Sequence, residues 1–318
     1  MRGFDFGRFT GAVAVTVLLG GCAGGGASVP SVQSFSQARQ PAQAGAIDGG
    51  NPILFLADLN ASVMIYPAQL QQKNPPRLGL ITRGVTRSVG VAADSAGNLY
   101  VSNFTGASAS LSIYRRETRH PLRTITKGLA TPGDLAVDTN GTMYVADKNP
   151  SDQHVDLLVY PRGATSPART VVELPLTGYA SAAGGVALDT NGSVLEGLVL
   201  PEKNQYHVFR ITPGSWTVTD LHLQQLRGAA IAADGSGNIY AAESTGGIQF
   251  YPSGSLTPTR FLSAPNAEFF GGISALKDGT VYAPSYNGTM FEYAPGALTP
   301  TNTFPIQGGG FDAAVASW

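Results

Sequence analysis

One short pattern, returning along most of the chain, restricts the fold more than any other feature. It is a small apolar run, then Asp-x-x-Gly-x-φ-Tyr, where φ is apolar. It first reads Val91-Ala92-Ala93-Asp94-Ser95-Ala96-Gly97-Asn98-Leu99-Tyr100 and returns as Leu135 to Tyr144. A third copy keeps Asp189 and Gly192 but has Leu195 where Tyr would fall. Ile231 to Tyr240 is the fourth copy, and Ile273 to Tyr282 is a shortened fifth. Gly97, Gly141, Gly192, Gly237 and Gly279 stand 44, 51, 45 and 42 residues apart. Each copy reads as two short β-rich runs joined by a tight turn, since Asp, Asn and Gly supply the positive φ and local hydrogen bonds that hairpins need. A period of this length marks a repeat architecture.

A second signature follows each first one, a strand ending in an aromatic residue: Tyr66, Tyr114, Tyr160, Phe209, Tyr251 and Tyr293. A Gly- and Pro-rich turn and an outer strand such as Arg260-Phe261-Leu262 come next. Each unit therefore has four strands, with Pro kept to turns and edges. The second signature occurs six times and the first only five. The missing inner strand lies at the far end, Phe311 to Trp318, while Ile53 to Asp58 supplies the second strand of the same unit. The expectation is an all-β chain, a six-bladed β-propeller with four-stranded blades, closed by pairing the C-terminal strand with the first blade. Closure removes the open sheet edges that invite aggregation. A seven-bladed ring is the alternative if residues 193–206 hold extra strands.

The repeat resembles those of the NHL-repeat and SMP-30/TolB-like propellers, with Asp138 to Asp147 matching best. The resemblance covers nearly everything after residue 50 and implies a fold, not an activity. SMP-30-type lactonases hold a metal with carboxylates and an Asn, but those positions have no residue-by-residue match here.

The N-terminus reads differently. Arg2 and Arg8 precede an uncharged apolar segment from Phe9 to Leu19, too short for a membrane-spanning helix, which needs about 20 residues. Leu19-Gly20-Gly21-Cys22 follows, and Cys22 is the only cysteine in 318 residues. This resembles an export signal ending in the lipobox of bacterial lipoproteins. The resemblance implies a signal peptide over 1–21, a lipid-bearing Cys22 with a tether over 22–50, and the propeller over 51–318. Ala23, in place of Asp, implies the outer membrane in a Gram-negative cell. The tether, rich in Gly, Ala, Ser, Gln and Pro, cannot bury enough apolar surface to offset its ordering entropy. The address expected is the cell envelope.

Three residues past the repeat Tyr, or its equivalent, stand Asp58, Asn103, Asp147, Glu243 and Ser285, with Glu202 as the counterpart in the irregular blade. Six-fold placement would gather them into a polar ring at the channel mouth. Two accounts stay open: each caps its own loop by accepting backbone N–H bonds, or the ring binds a ligand. No cofactor is required; a divalent cation such as calcium is the alternative, although it wants six to eight oxygens. Asp134 and Asp312 open inner strands, facing either the channel or solvated loops. His120, His154, His207 and His222 are scattered without metal-ligand spacing. The six aromatic residues of the second signature read as filling between adjacent sheets. No nucleophile elbow or phosphate loop is present. With 13% charged residues and a formal net charge of −1, nucleic acid is not expected as a partner. The expected function is that of a lipid-anchored binding module for a protein or glycan at the envelope. A metal-dependent hydrolase or lyase of the lactonase or streptogramin-lyase type is the alternative.

Overall fold

A computed structural model describes residues 53–68, 74–116, 118–149, 154–172, 184–200, 205–243, 246–267, 272–306 and 312–316. They form six four-stranded antiparallel sheets. Blade I comprises β1 (Ile53–Asp58), β2 (Ser62–Pro67), β3 (Gly79–Ile81) and, on its inner side, β24 (Asp312–Ala316). Blade II runs outward through β4 (Ser88–Ala93), β5 (Leu99–Phe104), β6 (Ala109–Tyr114) and β7 (Arg123–Ile125). Blade III follows with β8 (Pro132–Val137), β9 (Met143–Lys148), β10 (Val155–Tyr160) and β11 (Arg169–Val172). Blade IV has β12 (Val186–Leu188), β13 (Val194–Leu200), β14 (Gln205–Thr212) and β15 (Thr217–Asp220). Blade V has β16 (Ala230–Ala233), β17 (Ile239–Glu243), β18 (Gly247–Tyr251) and β19 (Arg260–Ser263). Blade VI has β20 (Ser274–Ala275), β21 (Val281–Ser285), β22 (Thr289–Tyr293) and β23 (Asn302–Pro305).

The ring closes through its two ends. β24 pairs antiparallel with β1, from Ile53 opposite Ala316 to Ala57 opposite Asp312. The described residues form six blades and no seventh: in blade IV, Val194–Leu200 and Gln205–Thr212 pair with each other as β13 and β14.

Why these strands read as nearly continuous apolar runs follows from their burial on both faces. Alternate side chains of one strand meet different neighbours. In β5, Leu99 and Val101 pack towards blade I, and Tyr100 packs towards blade III. Every blade-to-blade interface holds its own apolar cluster: I–II, II–III, III–IV, IV–V, V–VI and VI–I. The core is thus six wedges arranged around an axis.

The repeat Asp has a turn-building role. In blade II, Asp94 Oδ1 accepts the N–H groups of Ala96 at 3.0 Å and Asn98 at 2.9 Å, while Oδ2 accepts the Tyr100 hydroxyl at 2.9 Å. Asp138 and Asp234 repeat this with Tyr144 and Tyr240. The repeat glycines Gly97, Gly141, Gly192, Gly237 and Gly279 all have φ between 75° and 91°, which only a residue without Cβ adopts at little cost. Blade IV lacks the Tyr, and Arg210 of β14 ion-pairs with Asp189 at 3.2 Å in its stead. In blade VI, Leu276 occupies the Asp position, and the Tyr282 hydroxyl bonds instead to the Ala68 carbonyl of blade I.

The second-signature aromatics are buried between sheets, and four of them add a staple. Tyr114 donates to the Arg83 carbonyl at 2.6 Å, Tyr160 to Lys127 at 3.1 Å, Tyr251 to Gln224 at 2.9 Å and Tyr293 to Ser263 at 2.9 Å. Each bond ties one blade to the outer edge of the blade before it. Tyr293→Phe keeps the packing but strands a carbonyl, so urea unfolding should show a loss of about 1 kcal/mol with an unchanged denaturant slope.

Candidate functional site: the channel mouth

The six inner strands line an axial cavity of about 180 Å³. Its middle tier is narrow because the residues there are small: Ala92, Ala136, Ala187, Ala232, Ser274 and Ala314. Two residues nearer the mouth along each inner strand stand Asp312, Gly90, Asp134, Gly185, Ala230 and Gly272. Two carboxyl groups therefore share a tier with positions that have little or no side chain. The glycines are needed for space. A Cβ on Gly272 would fall 1.8 Å from Asp312 Oδ1, and one on Gly90 would fall 2.7 Å from the Asp134 backbone.

Both aspartates face the channel rather than a solvated loop. Asp312 is buried, and Asp134 is half-buried against the cavity. Asp312 Oδ2 accepts the Val91 N–H of blade II at 2.7 Å, and Oδ1 accepts that of Ala313 at 2.8 Å. Asp134 repeats the pattern one blade further on, with Val186 of blade IV at 2.7 Å and Leu135 at 2.7 Å. The two carboxyl groups also act directly on each other. Burial pushes Asp134 well above the usual carboxylate range, and the negative charge of Asp312 pushes it further. Burial raises Asp312 to about 6, against the opposing pull of the Val91 and Ala313 N–H groups. The opposed influences favour a proton on Asp134 beside Asp312, because two neighbouring carboxylates cannot both ionise cheaply away from water. Chemically this is a strap: it links blade I to II and III to IV, and the dyad joins the two links.

The polar positions at the outer ends of the second strands are buried as well. Asp58 Oδ1 accepts from the N–H and the side-chain amide of Asn60, both at 2.9 Å, within its own hairpin. Asn103 Oδ1 accepts the Thr86 N–H at 3.1 Å. Asp147 accepts the N–H groups of Ala130 at 3.0 Å and Thr131 at 2.9 Å. These last two fix the connection that enters their own blade from the previous one. Burial raises Asp147 to about 6, opposed by those same backbone bonds. Glu243 and Ser285 are buried at the matching positions of blades V and VI. Glu202 and Cys22 lie outside the described residues. In blade IV, the residue three past Leu195 is Leu198, which packs in the apolar cluster against blade III.

The dyad and the glycines packed against it are the features that the spacing of the repeat left unmarked. Gly90, Gly185 and Gly272 at one position of three blades, with Asp at the same position of two others, were the signal. Among the described residues, no three His, Cys, Asp or Glu side chains stand close enough to share a metal ion.

This geometry defines the class of protein: a closed, six-bladed β-propeller. No family model matches the chain, and no curated protein matches it. Solved structures do. A chain of the nidogen/laminin complex is 13% identical, with a TM-score of 0.67, covering 83% of this chain and 98% of that one. The WD40 repeats of RRP9 are 13% identical with a TM-score of 0.57, covering 82% and 80%. A functionally unknown protein from Desulfotomaculum acetoxidans DSM 771 is 16% identical with a TM-score of 0.52, covering 80% of each chain. At these identities the likeness is one of fold alone.

Proposed function

We propose that the chain is a lipid-anchored propeller of the cell envelope, held through Cys22, that presents a rigid surface to a protein or glycan partner. One observation carries the binding-module half of this reading. The polar side chains gathered towards the channel mouth hold backbone: Asp58, Asn103 and Asp147 fix loops, and Asp134 with Asp312 straps four blades. A ring built this way is stiff, and stiffness lowers the ordering cost of binding. Propellers of the kind found in the nidogen/laminin complex agree with such a role, since that structure is itself a protein–protein assembly. The lactonase- or lyase-type hydrolase has less support, because Asp58 and Asp147 already accept two or three hydrogen bonds each. The anchor half rests on the Leu19–Cys22 motif.

Two measurements test the halves separately. With membranes washed in high salt, Cys22→Ser should move the protein from the membrane fraction to the soluble fraction of an expressing cell; wild-type protein found soluble after the same wash would overturn the anchor. Cross-linking on intact cells should capture envelope proteins or glycan with the wild type. Repeated capture of nothing above background, alongside turnover of a lactone that Asp147→Ala abolishes, would favour the enzyme.

A further inference from the structure

The net charge of −1 conceals a strong segregation around the ring. Residues 59–133 carry nine Lys and Arg against two acids, whereas residues 134–318 carry eight against sixteen. Five of the arginines also share one end of the molecule. In an up-and-down blade, the turns between third and fourth strands all lie at the end away from the channel-mouth dyad. In blades I to III those turns hold Arg77, Arg115, Arg116, Arg119 and Arg162. The repeat aspartates Asp94 and Asp138 share this end, each engaged by the N–H groups of its own turn, and the arginines lie near one another around them. The Arg119 guanidinium lies over β3 of blade I, 2.9 Å from where a Cβ of Gly79 would sit. Arg83 donates to His120 Nδ1 at 3.1 Å, joining the blade I–II connection to the blade II turn. Arg123 and Arg162, from blades II and III, both act on the Tyr100 hydroxyl. Arg115 and Arg119 make no ion pair among the described residues.

The same end carries most of the exposed large apolar side chains among the described residues. Leu78, Leu122, Leu256 and Leu298 are 37%, 58%, 48% and 50% exposed, one each in the third-to-fourth-strand turns of blades I, II, V and VI. Leu78 and Leu122 adjoin Arg77 and Arg123 directly.

We propose that this end docks on the surface of an anionic lipid bilayer, with the arginines of blades I–III meeting headgroup phosphates and the rim leucines entering the interface. This rests on the reading that Cys22 holds the chain at a membrane. Arginine suits phosphate because its planar fork makes paired charge-assisted bonds. Leucines set around the rim of a flat disc can meet one plane together, which a bilayer offers and a compact partner does not. A single-stranded nucleic acid would call for aromatic platforms, and this rim offers leucine. Surface attraction of this kind decays within a Debye length, so it is salt-sensitive.

The test uses the full chain carrying Cys22→Ser, so that no acyl chain contributes. Co-sedimentation should show binding to phosphatidylcholine vesicles containing phosphatidylglycerol, weakening as salt rises, and little binding to phosphatidylcholine alone. Each basic residue near such a surface contributes about fivefold in partition. Arg115→Glu with Arg119→Glu should therefore weaken binding by about twentyfold or more. Leu122→Ser with Leu298→Ser should weaken binding while leaving its salt dependence unchanged. All variants should melt like the parent, since these side chains are at the surface. Equal binding to neutral vesicles, unaltered binding by the charge-reversed variant, or tighter binding to duplex DNA than to anionic vesicles would each overturn the proposal. Cell fractionation of wild type and Cys22→Ser in high salt, which removes the surface attraction and leaves an acyl anchor in place, judges the anchor independently, so the failure of one reading is distinguishable from the failure of the other.

Discussion

A chain ending at Gly310 should fail to fold cooperatively. The reason is the place of β24. It is the inner strand of blade I, antiparallel to β1 over the five pairs from Ile53–Ala316 to Ala57–Asp312. Without it β1 becomes an edge, and every residue of β1 is buried in the closed ring. Ala313 and Ala314 leave the apolar clusters on either side of the blade, at the VI–I and I–II interfaces. The Asp134 proton loses its acceptor, and the Val91 N–H loses its partner. Backbone hydrogen bonds contribute about 1 kcal/mol each and orphaned buried groups cost about 1–3 kcal/mol. Together these consume most of the roughly 5–15 kcal/mol by which a domain is stable. The exposed edge also templates association. Circular dichroism melting and light scattering measure both effects, and an unshifted, reversible melt in the chain ending at Gly310 would show that closure is dispensable.

The closure was readable because its cause is local. Two strands of one blade carry the repeat pattern in halves at opposite ends of the chain, and strands buried on both faces show long apolar runs wherever they fall. The Asp-x-x-Gly turn was equally plain, since Asp94 and Gly97 do their work within a few residues of each other. The dyad was not readable. Asp134 and Asp312 are 178 residues apart, and their contact exists only once the ring is shut. The polar positions after the repeat Tyr fall at the ends of the second strands in blades I to III, but their partners depend on geometry that no spacing reveals. Asp58 serves its own hairpin, whereas Asp147 reaches back to Ala130 and Thr131. Taking Glu202 as the sixth member assumed that blade IV departs from the repeat early. Its register instead holds through Leu198, and the strand runs on to Leu200. The charge field escaped notice for a simpler reason: a net charge averages over the ring, while an approaching surface meets only one side of it.

The dyad gives the protein a stability that falls as pH rises. Asp312 is raised to about 6 and Asp134 well above its ordinary value, both first by burial. In the unfolded chain both titrate near 3.9. Between about pH 4 and pH 6 the folded state therefore binds more protons than the unfolded state, and unfolding free energy declines with rising pH across that window. Asp147, also raised to about 6, acts in the same direction. The other residues lining the channel are apolar apart from Ser274, so no further titratable group there opposes the trend. Asp312→Ala should cost about 3 kcal/mol at about pH 5, because it strands the Val91 and Ala313 N–H groups and the Asp134 proton together. The penalty should shrink at about pH 8, where the wild type must keep a buried carboxylate ionised. Asp134→Asn retains a donor towards Asp312 and acceptor capacity for Val186, so it should stay near wild-type stability at neutral pH while flattening the profile. Urea unfolding of the three proteins across this range decides the matter. A wild-type stability that climbs with pH, or an Asp312→Ala penalty that is the same at both ends, would mean that the two carboxyl groups do not share a buried proton.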